Sequence, residues 1–376
     1  MSKPLISILI TVFLLAFGMS FASPIVPLLL DSIGASSASI GQIQTTYFLT
    51  FTVTTLFLGG WIERIGSKKI IISGLLISAL SFLLMPFTPT PTLFYLIRIF
   101  QGVGSAFLFA PTEAAINTIS PPEKRASNMG LYGLVFAVGF ALGPIAGASL
   151  YTVTPAAPFT LASFWCFVGI AVLYFGFNET KIPIKKTQWG FVDIISKIKI
   201  PLLAGACYAV IEIAMSSFLA LYLDSLTIKG ASLGIVFTCF AVGGTISPLP
   251  AGKIADRMGK RPVLEVCGVL LVLITALFNV FQNYYIICIL VFFIGFVAGA
   301  LYPVALSLIG DLVPPEKIGT ANASFSFFYG LGSIAGPFVT GWVLEIFTIT
   351  YLFYPMTASA LIFLIITLAD KTRKTA

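Results

Sequence analysis

Three ionisable residues, Arg98, Glu113 and Glu212, stand well inside long apolar runs, where charge is expensive and usually serves a function. The chain has no histidine, so a side chain that takes up and releases protons near neutral pH must be a carboxylate. All but two of the 14 acidic residues fall in polar segments or near the ends of apolar runs, and those two are Glu113 and Glu212. Glu212 lies midway along its run, with Tyr208 and Ser216 one helical turn to either side on the same face. Apolar surroundings favour a protonated carboxyl and a nearby cation favours an ionised one, so a carboxyl between those influences can load and release a proton. Glu212 is therefore the expected proton site, with Arg98 tuning it or competing for it. The plainer alternative is a protonated glutamate hydrogen-bonded for packing.

Arg98 shares one side of its helix with Gln101, Ser105 and Thr112, a polar stripe that fits a cavity wall. A cation at a bilayer centre costs about 2.5–3.5 kcal/mol on insertion scales. The alternative is an arginine tied to backbone carbonyls. Glu113 borders the same stripe two turns before Pro121. Two readings of it stay open: a gate or structural pair with Arg64 or Arg125, and a contact to substrate or proton.

The elements that hold these residues must be membrane helices. The 376 residues are 58% hydrophobic and 9% charged, with mean hydropathy +1.03, whereas a soluble domain carries about 25% charged residues. A helix needs about 20 apolar residues to cross about 30 Å of hydrocarbon. Such stretches fall at 5–30, 39–60, 70–88, 92–117, 126–151, 158–177, 201–224, 232–251, 263–281, 285–309, 319–346 and 350–369. The first is too long for the core of a signal peptide and reads as a span. From a cytoplasmic N-terminus, all but Lys229 and Arg98 of the 21 lysines and arginines fall on the cytoplasmic side, as the positive-inside rule requires. The expectation is a multi-pass protein of the plasma membrane with both termini cytoplasmic. The net charge of +7 then reports topology and contact with anionic membrane lipid, with no role for nucleic acid.

The five cysteines all fall within spans and show no metal-ligand spacing. No metal or other cofactor is expected. No nucleophile–base pair and no phosphate-cradling Gly-Lys-Ser/Thr loop occurs, so neither an enzyme nor an ATP-driven pump is indicated.

The chain is one unit written twice. Shifted by 193 residues, Asp31-Ser32 falls on Asp224-Ser225, Gly59 on Gly252, and Glu63, Arg64 and Gly66 on Asp256, Arg257 and Gly259. The segment 121–124, Pro-Pro-Glu-Lys, repeats at 314–317, and Gly139, Gly143 and Pro144 fall on Gly332, Gly336 and Pro337. Six spans per half start both halves on one side, giving parallel repeats with the substrate path between them. The expected fold is all-α, twelve transmembrane helices in two parallel six-helix repeats. The halves are 1–177 and 201–376, joined by a cytoplasmic linker at 178–200. There Trp189, Phe191, Ile194, Ile195 and Ile198 suit either a short interfacial helix or a plain tether.

The segment from Gly59 to Lys69, with Glu63, Arg64 and Gly66, resembles the signature between the second and third helices of the major facilitator superfamily. Its echo, with Gly252, Asp256, Arg257 and Gly259, is closer to that pattern, since the first copy has Glu63 in place of Asp and Ser67 in place of a base. The resemblance covers the whole chain and implies that this loop latches the cytoplasmic side in one state. Gly139, Gly143, Pro144 and Gly147 in the fifth span, and Arg98-x-x-Gln101-Gly102 in the fourth, are similar to motifs of the drug:proton antiporter branch. Small residues four apart also serve plain helix packing.

The resemblance implies a secondary transporter, a proton-coupled antiporter exporting small amphiphilic or drug-like molecules by alternating access. Its partners would be a small-molecule substrate, protons and lipid, and the chain would act as a monomer. A proton-coupled symporter or a uniporter for a small metabolite is the alternative, and a non-transporting membrane protein a remote one. Aromatic residues make up 14% of the chain and suit a lipophilic solute. Two acids favour a cation and Arg98 an anion, so the sequence leaves the solute's charge open.

Overall fold

The computed structural model describes residues 2–178, 195–314 and 317–370. Fourteen α-helices run through them: α1 Lys3–Ala22, α2 Ile25–Ser32, α3 Ser37–Ile65, α4 Ser67–Leu84, α5 Pro91–Ile119, α6 Arg125–Val153, α7 Ala157–Gly176, α8 Lys199–Ser225, α9 Gly230–Ile246, α10 Pro248–Met258, α11 Lys260–Leu277, α12 Tyr284–Leu312, α13 Ile318–Ile346 and α14 Phe353–Ala369. The first two form one pass interrupted at Ser23-Pro24, and α9 and α10 form another interrupted at Ser247-Pro248. Proline lacks the N–H that would continue the ladder. Twelve passes result, in the order the sequence indicated.

Ten passes among the described residues hold a stretch long and apolar enough to cross a membrane on length and composition alone. The other two, α3 and α11, carry polar residues such as Gln42, Gln44, Arg261 and Glu265. Several helices overrun the apolar windows, α3 reaching Ile65 and α5 reaching Ile119. Backbone hydrogen bonding continues past the hydrocarbon boundary that hydropathy detects. Large apolar side chains such as Phe175, Leu249 and Val153 lie exposed, a surface that water would not tolerate and lipid does.

The chain divides into two compact units, Met1–Lys185 with Lys229–Thr238, and Lys186–Ile228 with Cys239–Ala376. Within the first, α1 packs on α6 and α7, α3 on α5, and α4 on α5 and α7. Within the second, α8 packs on α13 and α14, α10 on α12, and α11 on α12 and α14. The two contact maps match element for element at the sequence offset. Much of the linker, including Trp189, Phe191 and Ile194, lies outside the described residues.

Individual contacts repeat as well. Gly66 and Gly259 close the α3–α4 and α10–α11 turns at φ 94° and 93°, a conformation in which a Cβ is strained. Gly34 and Thr227 occupy equivalent left-handed positions after α2 and α8, at φ 80° and 62°. Their amides bond the Asp31 and Asp224 carbonyls, each at 2.9 Å. Lys68 donates to the Tyr174 carbonyl at 2.8 Å, and Arg261, its equivalent, to the Thr367 carbonyl at 2.6 Å. In each half a cation thus neutralises the C-terminal end of the last helix.

Candidate functional site

Each half carries a polar cluster around a charge set inside its apolar interior. In the first half, Arg98 on α5 is only 6% exposed. Its Nη1 donates to Gln101 Oε1 at 2.6 Å, and its Nη2 to Gln44 Oε1 on α3 at 2.8 Å. The guanidinium lies 5.7 Å from the Tyr47 ring centroid, and the Tyr47 hydroxyl donates to Ser105 Oγ at 3.0 Å. Arg98 Nε has no partner. Gly102 makes this arrangement possible: a Cβ there would sit 2.6 Å from the Tyr47 carbonyl oxygen, so only glycine lets α5 approach α3 so closely. Thr112, two turns below Ser105, is buried on the same helix.

In the second half, Glu212 on α8 accepts from the Tyr329 hydroxyl of α13 at 2.7 Å, and Tyr208 also hydrogen-bonds it. Tyr302 of α12 completes a three-ring cage. Its centroid is 5.9 Å from that of Tyr208 and 5.8 Å from that of Tyr329, while Tyr208 and Tyr329 are 5.9 Å apart. Phe325 stands edge-on to Tyr302 at 5.0 Å. Glu212 and Tyr208 are half-buried and Tyr302 is 36% exposed, so the cage is not sealed. A carboxyl held this way has a partner in either protonation state: ionised, it accepts from the phenols; protonated, it donates to a phenol oxygen.

The structure thus joins Arg98 with Gln101 and, through Tyr47, with Ser105, and it joins Glu212 with Tyr208. Within its own half, neither charge meets an opposite one among the described residues. Ser216 does not serve the carboxylate; its hydroxyl is spent on the Ile213 carbonyl at 3.0 Å, a bond within its own helix. Glu113 forms no ion pair with Arg64 or Arg125. It is exposed and accepts from the Tyr132 hydroxyl at 3.4 Å, while Arg125 Nε donates to the Ser120 carbonyl at 3.4 Å.

Within the loop signature, Gly66 and Gly259 make the turns, and Arg64, Asp256 and Arg257 are exposed. Gly59 and Glu63 lie in the last turns of α3, and Gly252 in α10. The stripe of Gly139, Gly143 and Gly147 seats α6 on α1 at Phe13, Ser20 and Phe21, in a helix that also contains Pro144. Gly332 and Gly336 seat α13 on α8 at Ala206 and Val210 in the same way. Packing therefore accounts for the stripe in both halves.

Gln44, Tyr47, Tyr302 and Tyr329 escaped the sequence reading. The 193-residue register holds the signal that finds them. Gln44, Tyr47, Arg98, Gln101 and Ser105 fall on Phe237, Phe240, Val291, Ile294 and Ala298. Tyr208, Glu212, Tyr302 and Tyr329 fall back on Leu15, Met19, Phe109 and Phe136. The Phe109–Phe136 pair, at 5.6 Å, is the hydroxyl-free counterpart of Tyr302–Tyr329. Each half is polar where the other is oily, so these clusters are additions to the shared scaffold.

Known proteins agree with this architecture. The sequence model of the Major Facilitator Superfamily matches residues 8–223 and 201–375. The chain is 26% identical over 347 residues to the uncharacterized MFS-type transporter YfkF of Bacillus subtilis strain 168, covering 91% of this chain and 88% of that one. It is 22% identical over 356 residues to Multidrug resistance protein 2 of the same organism, with coverage of 91% and 88%. Among solved structures, the nucleoside transporter NupG superposes with a TM-score of 0.80 at 14% identity, covering 98% of each chain, a likeness of fold alone. A duplicated six-helix contact map and a family match running through both copies lead to one conclusion: this chain is a transporter, not an enzyme, and it belongs to the Major Facilitator Superfamily.

Proposed function

We propose that this chain is a proton-coupled antiporter that exports small amphiphilic molecules by alternating access of its two halves, 1–177 and 201–376. The linker at 178–200 joins the halves, and the chain works as a monomer in the cytoplasmic membrane with both termini inside. The observation that carries the reading is the Glu212 carboxylate, held at 2.7 Å by Tyr329 and ion-paired with no cation among the described residues. A carboxyl with a ready partner for both protonation states exchanges a proton without leaving an orphaned polar group in an apolar interior. It also stands in a partly open aromatic cage, where a solute with an apolar body can compete with the proton. Export is supported by the likeness to Multidrug resistance protein 2, which spans most of both chains.

Purified protein in liposomes, loaded with a pH-sensitive dye and holding an imposed proton gradient, tests the reading. Adding transported solute to an antiporter dissipates the gradient, with proton and solute moving in opposite directions. Solute and proton moving the same way would make the chain a symporter.

A further inference from the structure

The Arg98 cluster is out of proportion to a packing role. A buried guanidinium without a counter-ion is among the costlier groups a protein can keep, because neutral acceptors recover only part of its lost hydration. Here the two terminal nitrogens are met by amide oxygens, Gln101 Oε1 at 2.6 Å and Gln44 Oε1 at 2.8 Å. The remaining N–H, on Nε, is buried and meets nothing. No carboxylate lies within ion-pair distance of Arg98 among the described residues. Nε and Nη2 form one edge of the guanidinium, and that edge is met by a single amide oxygen, Gln44 Oε1, where the paired oxygens of a carboxylate would fit. The guanidinium carbon lies over the Tyr47 ring at 5.7 Å.

The polar seam between α3 and α5 continues one turn nearer the start of both helices, where the Tyr95 hydroxyl donates to Gln42 Oε1 at 2.9 Å. Gln42, Gln44 and Tyr95 are only half-buried, whereas Arg98, Gln101, Tyr47 and Ser105 are buried. The seam is therefore open at that end and closed behind the arginine. Gln44, on the open side, is the acceptor that a ligand can displace.

We infer that Arg98 anchors a ligand site within the first half that takes a planar organic carboxylate, for which the Gln44 amide is the stand-in. The ligand replaces Gln44 with a charged bidentate acceptor and supplies the missing negative charge. This narrows the proposed amphiphilic cargo to molecules bearing a carboxylate. Because the test is equilibrium binding without a gradient, it succeeds or fails separately from proton coupling.

The test uses the purified full-length chain, naphthalene-2-carboxylate as probe, and the thermal unfolding midpoint at a single pH. The carboxylate raises the midpoint saturably and its methyl ester does not. Gln44→Glu installs an internal counter-ion, unfolds no earlier than the parent, and weakens probe binding at least tenfold. Arg98→Lys keeps the charge, loses the planar fork, and also weakens binding at least tenfold. Gln44→Leu, a second variant should Gln44→Glu fail to fold, binds the probe at least as tightly as the parent. Equal responses to acid and ester, a parent-like response in Gln44→Glu or Arg98→Lys, or full competition by equimolar chloride would each overturn the inference.

Discussion

At the scale of residues, the two halves have divided the chemistry. One carries a fixed cation held by amides, the other a titratable acid held by phenols, and the register places each opposite an oily counterpart. Tyr329 is the residue through which this division is most easily tested. A hydrogen bond to a charged group contributes about 1.5–3 kcal/mol, and the Tyr329 bond favours the ionised carboxylate. Losing it in Tyr329→Phe should lower pH-driven transport by about tenfold or more while solute counterflow stays near the parent rate. Initial rates of both check this, and two rates lowered equally would make Tyr329 merely structural. Glu212 and Arg98 were legible in the sequence because a charge in an apolar run announces itself. Their phenol and amide partners were not, since Tyr302, Tyr329 and Gln44 come from other helices and a tyrosine in a membrane helix is unremarkable by itself. Ser216 was legible only as a position: helical spacing puts it on the Glu212 face, while the spacing says nothing of its hydroxyl, which bonds its own backbone.

At the scale of elements, glycine and proline decide where helices touch, turn and break. The twelve passes were legible because hydrocarbon thickness fixes their length. The interruptions at Pro24 and Pro248 were hidden inside continuous apolar runs. Thr227 holds the left-handed position that Gly34 fills in the other half, at φ 62°, and a left-handed residue with a Cβ costs about 1–2 kcal/mol. Thr227→Gly should therefore stabilise the protein by about 1 kcal/mol after the extra freedom of glycine is offset, measured as a higher unfolding midpoint in detergent. An unchanged or lower midpoint would mean that threonine is favoured there. The glycine stripes make a second case. Packing predicts that Gly139→Leu and Gly332→Leu both lower stability, by about 1–3 kcal/mol each where the helices can adjust. If only the first were damaging, and damaging to coupling alone, the stripe in α6 would hold a role that α13 lacks.

At the scale of the whole molecule, duplication is what made the fold readable. A single offset predicted equivalent helices, and the equivalence extends to packing partners, turn conformations and the Lys68 and Arg261 contacts at the helix ends. The same duplication hides function, because whatever recurs is scaffold and only what fails to recur is specialised. The proposed proton coupling belongs to this largest scale, since it would tie one carboxyl's proton to the alternation of the entire protein. The most direct test is Glu212→Gln reconstituted in liposomes, assayed two ways. Solute counterflow, which needs alternation but no proton gradient, should persist near the parent rate. Accumulation driven by a pH gradient should be abolished. Parent-like pH-driven accumulation in Glu212→Gln would contradict the account, for the proton would then be riding elsewhere.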